Sequence, residues 1–176
     1  MNRALDANCY LAALSIALTL PDICGKAAFP AETKVSRRYI NWFDEHIGVY
    51  EKNLSGGKSD DEIPYLSGEV VYQLRNSVLH QGTPNVEKDA IKKSQNKIDN
   101  FQLVIEQKNK FDIYSDSAGI INNKYREYRV NVRRLCLIVS KTAACYYNDN
   151  KEKFNFFNFS ILDWDEVNEK MKKLDH

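Results

Sequence analysis

The chain has 176 residues, of which 43% are hydrophobic and 28% charged, and it contains only 7 glycines and 4 prolines. This length and composition predict one folded domain over residues 1–176 with a sizeable core, and they exclude a disordered or linker-rich chain. The formal net charge is +1, so any binding to a polyanion requires a local patch of positive charge.

Four cysteines stand at positions 9, 24, 136 and 145, and they form no Cys-x-x-Cys pair or Cys/His cluster with metal-ligand spacing. We therefore expect no metal site and no cofactor, and we interpret the cysteines as buried free thiols. The apolar run Cys9–Leu20 is similar to the core of a signal peptide, but Asp6 precedes it and no clean cleavage site follows. Because the run is also short for a bilayer span, we predict a buried helix of a cytoplasmic protein without membrane contact.

Apolar residues at helical spacing predict three helices before Pro84. The first helix is apolar on most faces and is therefore expected at the centre of the fold. The third helix is expected to end where Gly82 and Pro84 interrupt it. The predicted bounds are about Arg3–Ile23, Lys34–Lys52, and Tyr65 or Ser67 to Gln81.

The pattern changes after Pro84. Residues 85–100 are charged and are expected to cross the surface. Alternating apolar residues predict short strands at 101–107, 110–116 and 125–130. N-cap residues predict two further helices, one from about Val132 to Asn148 after Asn131 and one from Trp164 to Leu174 after Asp163. These elements predict a mainly α fold, an up-and-down bundle of four to five helices with a small β-hairpin or meander inserted at about 99–130.

The stretch VYQLRNSVLHQG, Val71–Gly82, sets polar residues into an apolar helical pattern. Tyr72, Asn76 and His80 are four residues apart, so on an α-helix they form one column, in which Asn76 can orient the His80 imidazole with Tyr72 in support. The helix dipole favours the imidazolium at this last turn. An imidazole here can act as acid or base at neutral pH, and Arg75 offers a planar cation for phosphate.

A phosphate-binding cation beside a titratable imidazole is what metal-free RNA cleavage requires. The imidazole takes the proton of a 2′-OH or protonates the leaving 5′-oxygen, and the arginine stabilises charge on the phosphorane. Five residues separate Arg75 from His80, about 140° around an α-helix. Either the Arg75 side chain curls round the helix, or two copies of the helix meet at the axis of a symmetric dimer.

The RNSVLH of Arg75–His80 resembles the R-x4–6-H motif of the HEPN superfamily (higher eukaryotes and prokaryotes nucleotide-binding domain), in which a polar residue, often Asn, follows the arginine. The resemblance covers mainly residues 1–82 and the helix at 132–148. It implies an α-helical bundle and, for many members, a metal-independent endoribonuclease of toxin–antitoxin, phage-defence or CRISPR systems. Such members typically form a homodimer with a composite site. The resemblance implies catalysis by Arg75 and His80 supported by Asn76, RNA as substrate, and an antitoxin or other protein as partner.

Other basic and aromatic residues have a functional and a structural interpretation. The candidates to hold an RNA backbone are Arg37, Arg38, Lys92 and Lys93. A solvated charged face is the alternative for each of them. His46 is interpreted as a partly buried structural histidine, with a place in the site from a neighbouring helix as the alternative. The phenylalanines of residues 154–159 are interpreted as a core or dimer contact, with base stacking as the alternative.

Two classes of function are open at this point: an RNA-cleaving enzyme, and a non-catalytic helical module that dimerises or binds a partner protein or nucleotide. The enzyme predicts that Arg75 and His80 converge in a solvent-open, positively charged cleft. The module predicts that His80 is buried or caps the helix and that Arg75 pairs with a local carboxylate. No P-loop, GxGxxG, HExxH or GxSxG pattern occurs, so the corresponding enzyme classes have no support.

Overall fold

The computed structural model describes residues 1–54, 65–93, 96–105, 117–121, 125–156, 158 and 160–174. Within these ranges the chain is mainly helical with one small sheet, which confirms the predicted fold class at this level. The helices are α1 (Asn2–Asp6), α2 (Tyr10–Ala28), α3 (Val35–Phe43), α4 (Val49–Leu54), α5 (Gly68–Asn76), α6 (Val132–Asp149) and α7 (Trp164–Leu174). The strands are β1 (Asn100–Val104), β2 (Ser117–Ile121) and β3 (Tyr125–Asn131). Two π-helical turns, Asp44–Gly48 and Ser77–Gln81, continue α3 and α5.

Helix α2 lies at the centre of the bundle, as its apolar sequence predicts. Its buried side chains include Ala13, Leu14, Ala17 and Leu18, and it packs against α3, α5 and α6. The predicted first helix is in fact two helices, because the chain breaks between α1 and α2, where Asn8 takes a left-handed φ of 58°. Helix α2 then continues through the buried Pro21 and ends at Ala28 rather than near Ile23.

Helix α2 extends well beyond Leu20, the end of the apolar run that was predicted to be short for a bilayer span. By length and composition this helix of 19 residues is long and apolar enough to cross a bilayer, and 44% of its most apolar window is buried inside the protein. The helix as it forms is therefore not too short for a bilayer span. The core helix of a soluble protein and a signal sequence both meet the same test, so α2 is weak evidence for a membrane segment.

The two predicted helix N-caps, Asn131 and Asp163, are confirmed by their hydrogen bonds, and Ser67 at a predicted helix start is a third cap. The side-chain oxygens of Ser67, Asn131 and Asp163 each accept from backbone N–H groups of the following first turn. These bonds satisfy donors that the start of a helix leaves unpaired. Local sequence thus sets where α5, α6 and α7 begin.

The sheet differs from a simple hairpin of neighbouring strands. Its order is β1-β3-β2, with β1 parallel to β3 and β2 antiparallel to β3. The predicted strand at 110–116 lies outside the described residues, and the strand at 117–121 was not predicted. Phe101 stacks on its cross-strand partner Tyr128 with ring centroids 6.4 Å apart. Alternation along β1 predicts a strand but not this distant partner, because cross-strand pairing is set by tertiary packing.

The charged segment after Pro84 is tied to α5 by one carboxylate. Glu69 is only 7% exposed. It accepts from the backbone N–H groups of Lys92 at 2.7 Å and Lys93 at 3.3 Å, and from the Asn96 carboxamide at 3.0 Å. Ile91 is buried in the core. The segment therefore does not simply cross the surface, because its amides and one aliphatic side chain are anchored in the bundle.

Two of the four free cysteines are buried and two are exposed. Cys24 and Cys136 are buried, as the sequence analysis expects, and burial raises the pKa of each thiol to about 12. Cys9 and Cys145 are exposed, which corrects the expectation for them. Cys9 precedes the first turn of α2, and Cys145 lies on the outward face of α6, so neither points into the core.

Candidate functional site

The stretch that carries Arg75 and His80 is not a uniform α-helix. Helix α5 ends at Asn76, and the chain continues as a π-turn over Ser77–Gln81, in which the Gly82 N–H donates to the Ser77 carbonyl. Gly82 then ends the helix with a left-handed φ of 69°. In a π-turn the hydrogen bond joins residues five apart, so such residues lie about one turn from each other. The wide turn therefore brings Arg75 and His80 toward one side.

Arg75 and His80 meet within a single chain. The Nη1 atom of Arg75 lies 3.0 Å from Nε2 of His80 and 3.1 Å from Oδ1 of Asn76. The His80 residue is exposed, whereas the Arg75 side chain is 17% exposed. The two side chains thus meet through the long arginine side chain and the π-turn, without a second copy of the helix. The solvent-open, positively charged cleft of the enzyme class stays a prediction.

The contact between Arg75 and His80 depends on the tautomer of the imidazole ring. A guanidinium has only donors, so the two side chains form a hydrogen bond when Nε2 of His80 accepts. That hydrogen bond requires the tautomer with its proton on Nδ1. An Nε2 lone pair of this kind is also what a general base needs.

Asp22 of α2 holds Arg75 from the other side. Its Oδ2 atom lies 3.3 Å from Nη2 of Arg75, and its side chain is 28% exposed. This contact is the local carboxylate that the non-catalytic module predicts. Asp22 was not predicted as a site residue. It is the one acidic residue in the 19-residue α2, and a lone carboxylate in an apolar helix is a signal that could have indicated it. The guanidinium is therefore fixed between a carboxylate, a carboxamide and an imidazole.

An aromatic layer lies close to this ion pair. Tyr39 is fully buried, and its hydroxyl donates to the Leu18 carbonyl at 3.1 Å. Burial raises the pKa of Tyr39, and the charges of Arg75 and Asp22 act on it in opposite directions. The ring of Tyr72 packs edge-on against Tyr39 with centroids 5.3 Å apart. Tyr72 therefore packs on the core beside the ion pair, and its support of His80 stays a prediction.

Asn76 has a different partner from the one that helix geometry predicts. Its carboxamide oxygen accepts from Arg75, and the imidazole of His80 contacts the guanidinium instead. The reason is the π-turn, which begins directly after Asn76 and moves His80 out of the i, i+4 column. Asn76 therefore orients His80 only through Arg75.

Arg37 and Arg38 lie at the same end of the bundle as the pair. The backbone of α3 at Arg38 approaches α2 so closely that a Cβ on Gly25 would sit 2.7 Å from the Arg38 carbonyl oxygen. Gly25 is one turn along α2 from Asp22. Arg37 is 61% exposed and pairs with Glu32 at 3.5 Å, whereas Arg38 donates to the Glu32 carbonyl at 3.0 Å. Both arginines are thus near the pair but already have local partners.

Lys92 and Lys93 lie at the opposite end of α5. Their backbone amides are held by Glu69, and the helix rises by roughly 15 Å between Glu69 and His80. Both lysines are exposed. The structure therefore does not bring them together with Arg75 and His80 as one compact site.

His46 is placed as a structural histidine. Its ring packs between Trp42 and Tyr146, with centroids 5.2 Å and 5.1 Å away. One edge of His46 lines a groove of about 280 Å³ between α4 and α6, to which neither Arg75 nor His80 contributes. Phe154 is buried against Tyr146 in the neighbouring core, which agrees with a packing role for this phenylalanine.

No protein-family model matches the chain, and no curated protein or solved structure matches it either. The class that the fold and the site define is a mainly helical protein with an exposed histidine in contact with a carboxylate-held arginine.

Replacing Asp22 by Asn is expected to lower RNA cleavage by about fivefold if Arg75 works at this site. A partly exposed ion pair contributes about 1 kcal/mol, and a barrier change of that size alters a rate about fivefold. Because Asp22 acts by positioning Arg75, the loss is expected in kcat more than in KM. Asp149→Asn, which removes an exposed carboxylate at the end of α6, is the matched control. An unchanged kcat in Asp22→Asn contradicts the positioning role.

Proposed function

We propose that this protein is a metal-independent endoribonuclease of the HEPN type, with Arg75 and His80 as its catalytic residues. The observation that carries the proposal is the 3.0 Å contact between Arg75 Nη1 and the Nε2 atom of an exposed His80. Its support is chemical: the contact joins a permanent cation suited to phosphate to a neutral imidazole suited to proton transfer.

The resting contact implies an exchange of partners when RNA binds. A phosphate oxygen takes the place of Nε2 as the acceptor for Arg75, and the freed Nε2 accepts the proton of the adjacent 2′-OH. The 2′-oxygen then attacks phosphorus while the guanidinium stabilises the added charge on the phosphorane. Expulsion of the 5′-oxygen, which takes a proton from water as it leaves, yields a 2′,3′-cyclic phosphate and a 5′-OH, and His80 then releases the proton of the 2′-OH to solvent. Asp22 and Asn76 keep the guanidinium in place during the exchange.

Three further features belong to this proposal. Arg37 and Arg38 track the RNA backbone at the end of the bundle that carries the pair, since Arg38 lies against α2 one turn from Asp22. The resemblance also implies a homodimer that places two such sites side by side. It further implies a role in toxin–antitoxin or phage-defence systems, with an antitoxin or other protein as partner. The site of action is the cytoplasm.

The second candidate is a non-catalytic helical module that dimerises or binds a partner protein or nucleotide. The observation that favours it is the Arg75–Asp22 ion pair at 3.3 Å, which already neutralises the cation. In this case the contacts of Arg75 hold α5 against α2, and the exposed His80 lies in the last helical turn and has no catalytic role. The two candidates differ in one measurable property, which is turnover of RNA.

The proposal is tested with a structured RNA in a buffer that contains EDTA. We expect fragments that accumulate with time and end in 2′,3′-cyclic phosphate and 5′-OH, as seen when the ends are probed with phosphatase and kinase. The activity must follow the protein peak through a final size-exclusion step. RNA that stays intact at high protein concentration, or fragments with 3′-OH ends, contradict the proposal.

A further inference from the structure

The last part of the chain carries large apolar side chains that the core does not cover. Ile161 is 88% exposed, Leu162 65%, Trp164 61% and Met171 48%. Among the apolar side chains that the structure describes from 158 to 174, none belongs to the buried core or packs against it, although Val167 is half-buried. Trp164 and Met171 are seven residues apart, so on α7 they lie on one face, with Val167 between them.

A helix of this kind needs a partner to be stable. α7 has 11 residues, and isolated helices of that length are marginal in water, because most helical stability in proteins comes from packing of the apolar face. Asp163 caps its first turn with two hydrogen bonds, so the local sequence is built to start a helix here. The capped helix with its uncovered apolar face therefore points to a docking element.

The charges of α7 indicate what covers this face. Its first turn is acidic at Asp165 and Glu166, and its last turn is basic at Lys172 and Lys173. The helix dipole accounts for this order of signs within one helix. The same order also makes α7 complementary to a second α7 that runs the opposite way, because each acidic half then lies beside a basic half. A parallel pair would instead place like charges together.

We propose that residues 161–174 of two copies of this chain pair as antiparallel helices, with Trp164 of each copy packed near Met171 of the other. The helix is only about 16 Å long, so the pairing buries less area than a standard protein interface and gives a weak, concentration-dependent dimer. This pairing is the contact that forms the homodimer named above. It does not rest on ribonuclease activity, since the Arg75–His80 pair is complete within one chain.

The test uses the full-length protein and two readouts over a wide range of concentration. Sedimentation velocity measures mass, and acrylamide quenching of tryptophan emission measures access to Trp164, since Trp42 is fully buried. We expect a monomer with a quenchable tryptophan at low concentration. At high concentration we expect a dimer in which that tryptophan is protected. Trp164→Ser with Met171→Ser is expected to weaken dimerisation at least tenfold while the circular dichroism of the bundle is kept.

Charge variants then test the pairing itself. Lys170→Glu, Lys172→Glu and Lys173→Glu together make α7 wholly acidic, and Asp165→Lys, Glu166→Lys and Glu169→Lys together give the opposite sign. Each variant alone is expected to be monomeric, and a one-to-one mixture is expected to form the dimer again. A wild type that stays monomeric overturns the proposal. So does a Trp164 that is protected in the monomer, which would place α7 on its own bundle. A dimer that survives all these changes also overturns it, because another surface then forms the contact.

Discussion

His80→Ala is expected to slow RNA cleavage by a factor of about 10² to 10⁴, the usual contribution of a positioned general acid or base. Arg75→Ala is expected to cost about 10² to 10³, because it removes the group that stabilises charge on the phosphorane. Since the two side chains work as one unit through their 3.0 Å contact, the double variant is expected to be little worse than the more damaged single variant. The measurement is single-turnover cleavage in EDTA.

The chain offers a matched control for this experiment. His46→Gln removes the other helical histidine, which packs against Trp42 and Tyr146 away from the pair, and is expected to leave the cleavage rate unchanged. Thermal denaturation of each variant shows that the bundle remains folded. If His80→Ala, Arg75→Ala and the wild type cleave at the same rate, the activity belongs to a contaminant and the site assignment is wrong.

Glu69→Ala is expected to lower the free energy of unfolding by about 3 kcal/mol. The carboxylate of Glu69 is 7% exposed and accepts three hydrogen bonds, and removal of a buried charged acceptor leaves its donors unpaired at about 1 to 3 kcal/mol each, partly recovered by water. The loss is expected to be concentrated at residues 91–98. Urea denaturation gives the total, and hydrogen exchange locates the loosened amides.

Glu69→Gln separates the shape of this contact from its charge. The carboxamide keeps one acceptor oxygen in the same position, so an intermediate loss of stability is expected. Glu87→Gln changes an exposed acid in the preceding residues and is expected to have an effect within about 0.5 kcal/mol. If Glu69→Ala unfolds at the same urea concentration as the wild type, the carboxylate does not anchor the segment.

Local signals predicted the starts of three helices well, because each of these carries its own N-cap beside its own apolar period. Ser67, Asn131 and Asp163 set the starts of α5, α6 and α7 by contacts within one turn. The features that escaped prediction depend on residues far apart in the chain or on a change of helix type. Asp22 reaches Arg75 across 53 positions, and β1 pairs with β3 rather than with its next neighbour.

The contact between Arg75 and His80 within one chain was one of the two geometries that the sequence left open, and the π-turn that helps to form it was not predicted. The spacing of Arg75 and His80 indicated the chemistry, but the α-helical rule of 3.6 residues per turn placed them on different faces. The same rule assigned Asn76 to His80, whereas the structure assigns it to Arg75. A π-turn has no strong sequence signature, so the contact that carries the proposed function became visible only in three dimensions.

The π-turn at Ser77–Gln81 also has a consequence for the length of the motif. A π-turn adds one residue to a helix without adding a turn, so it shifts the angular phase of everything that follows. Deleting one residue within it would restore α-helical geometry and place the histidine four positions after Arg75, again one turn away. The same contact between an arginine and a histidine can therefore be made over four residues of α-helix or over five residues that include a π-turn.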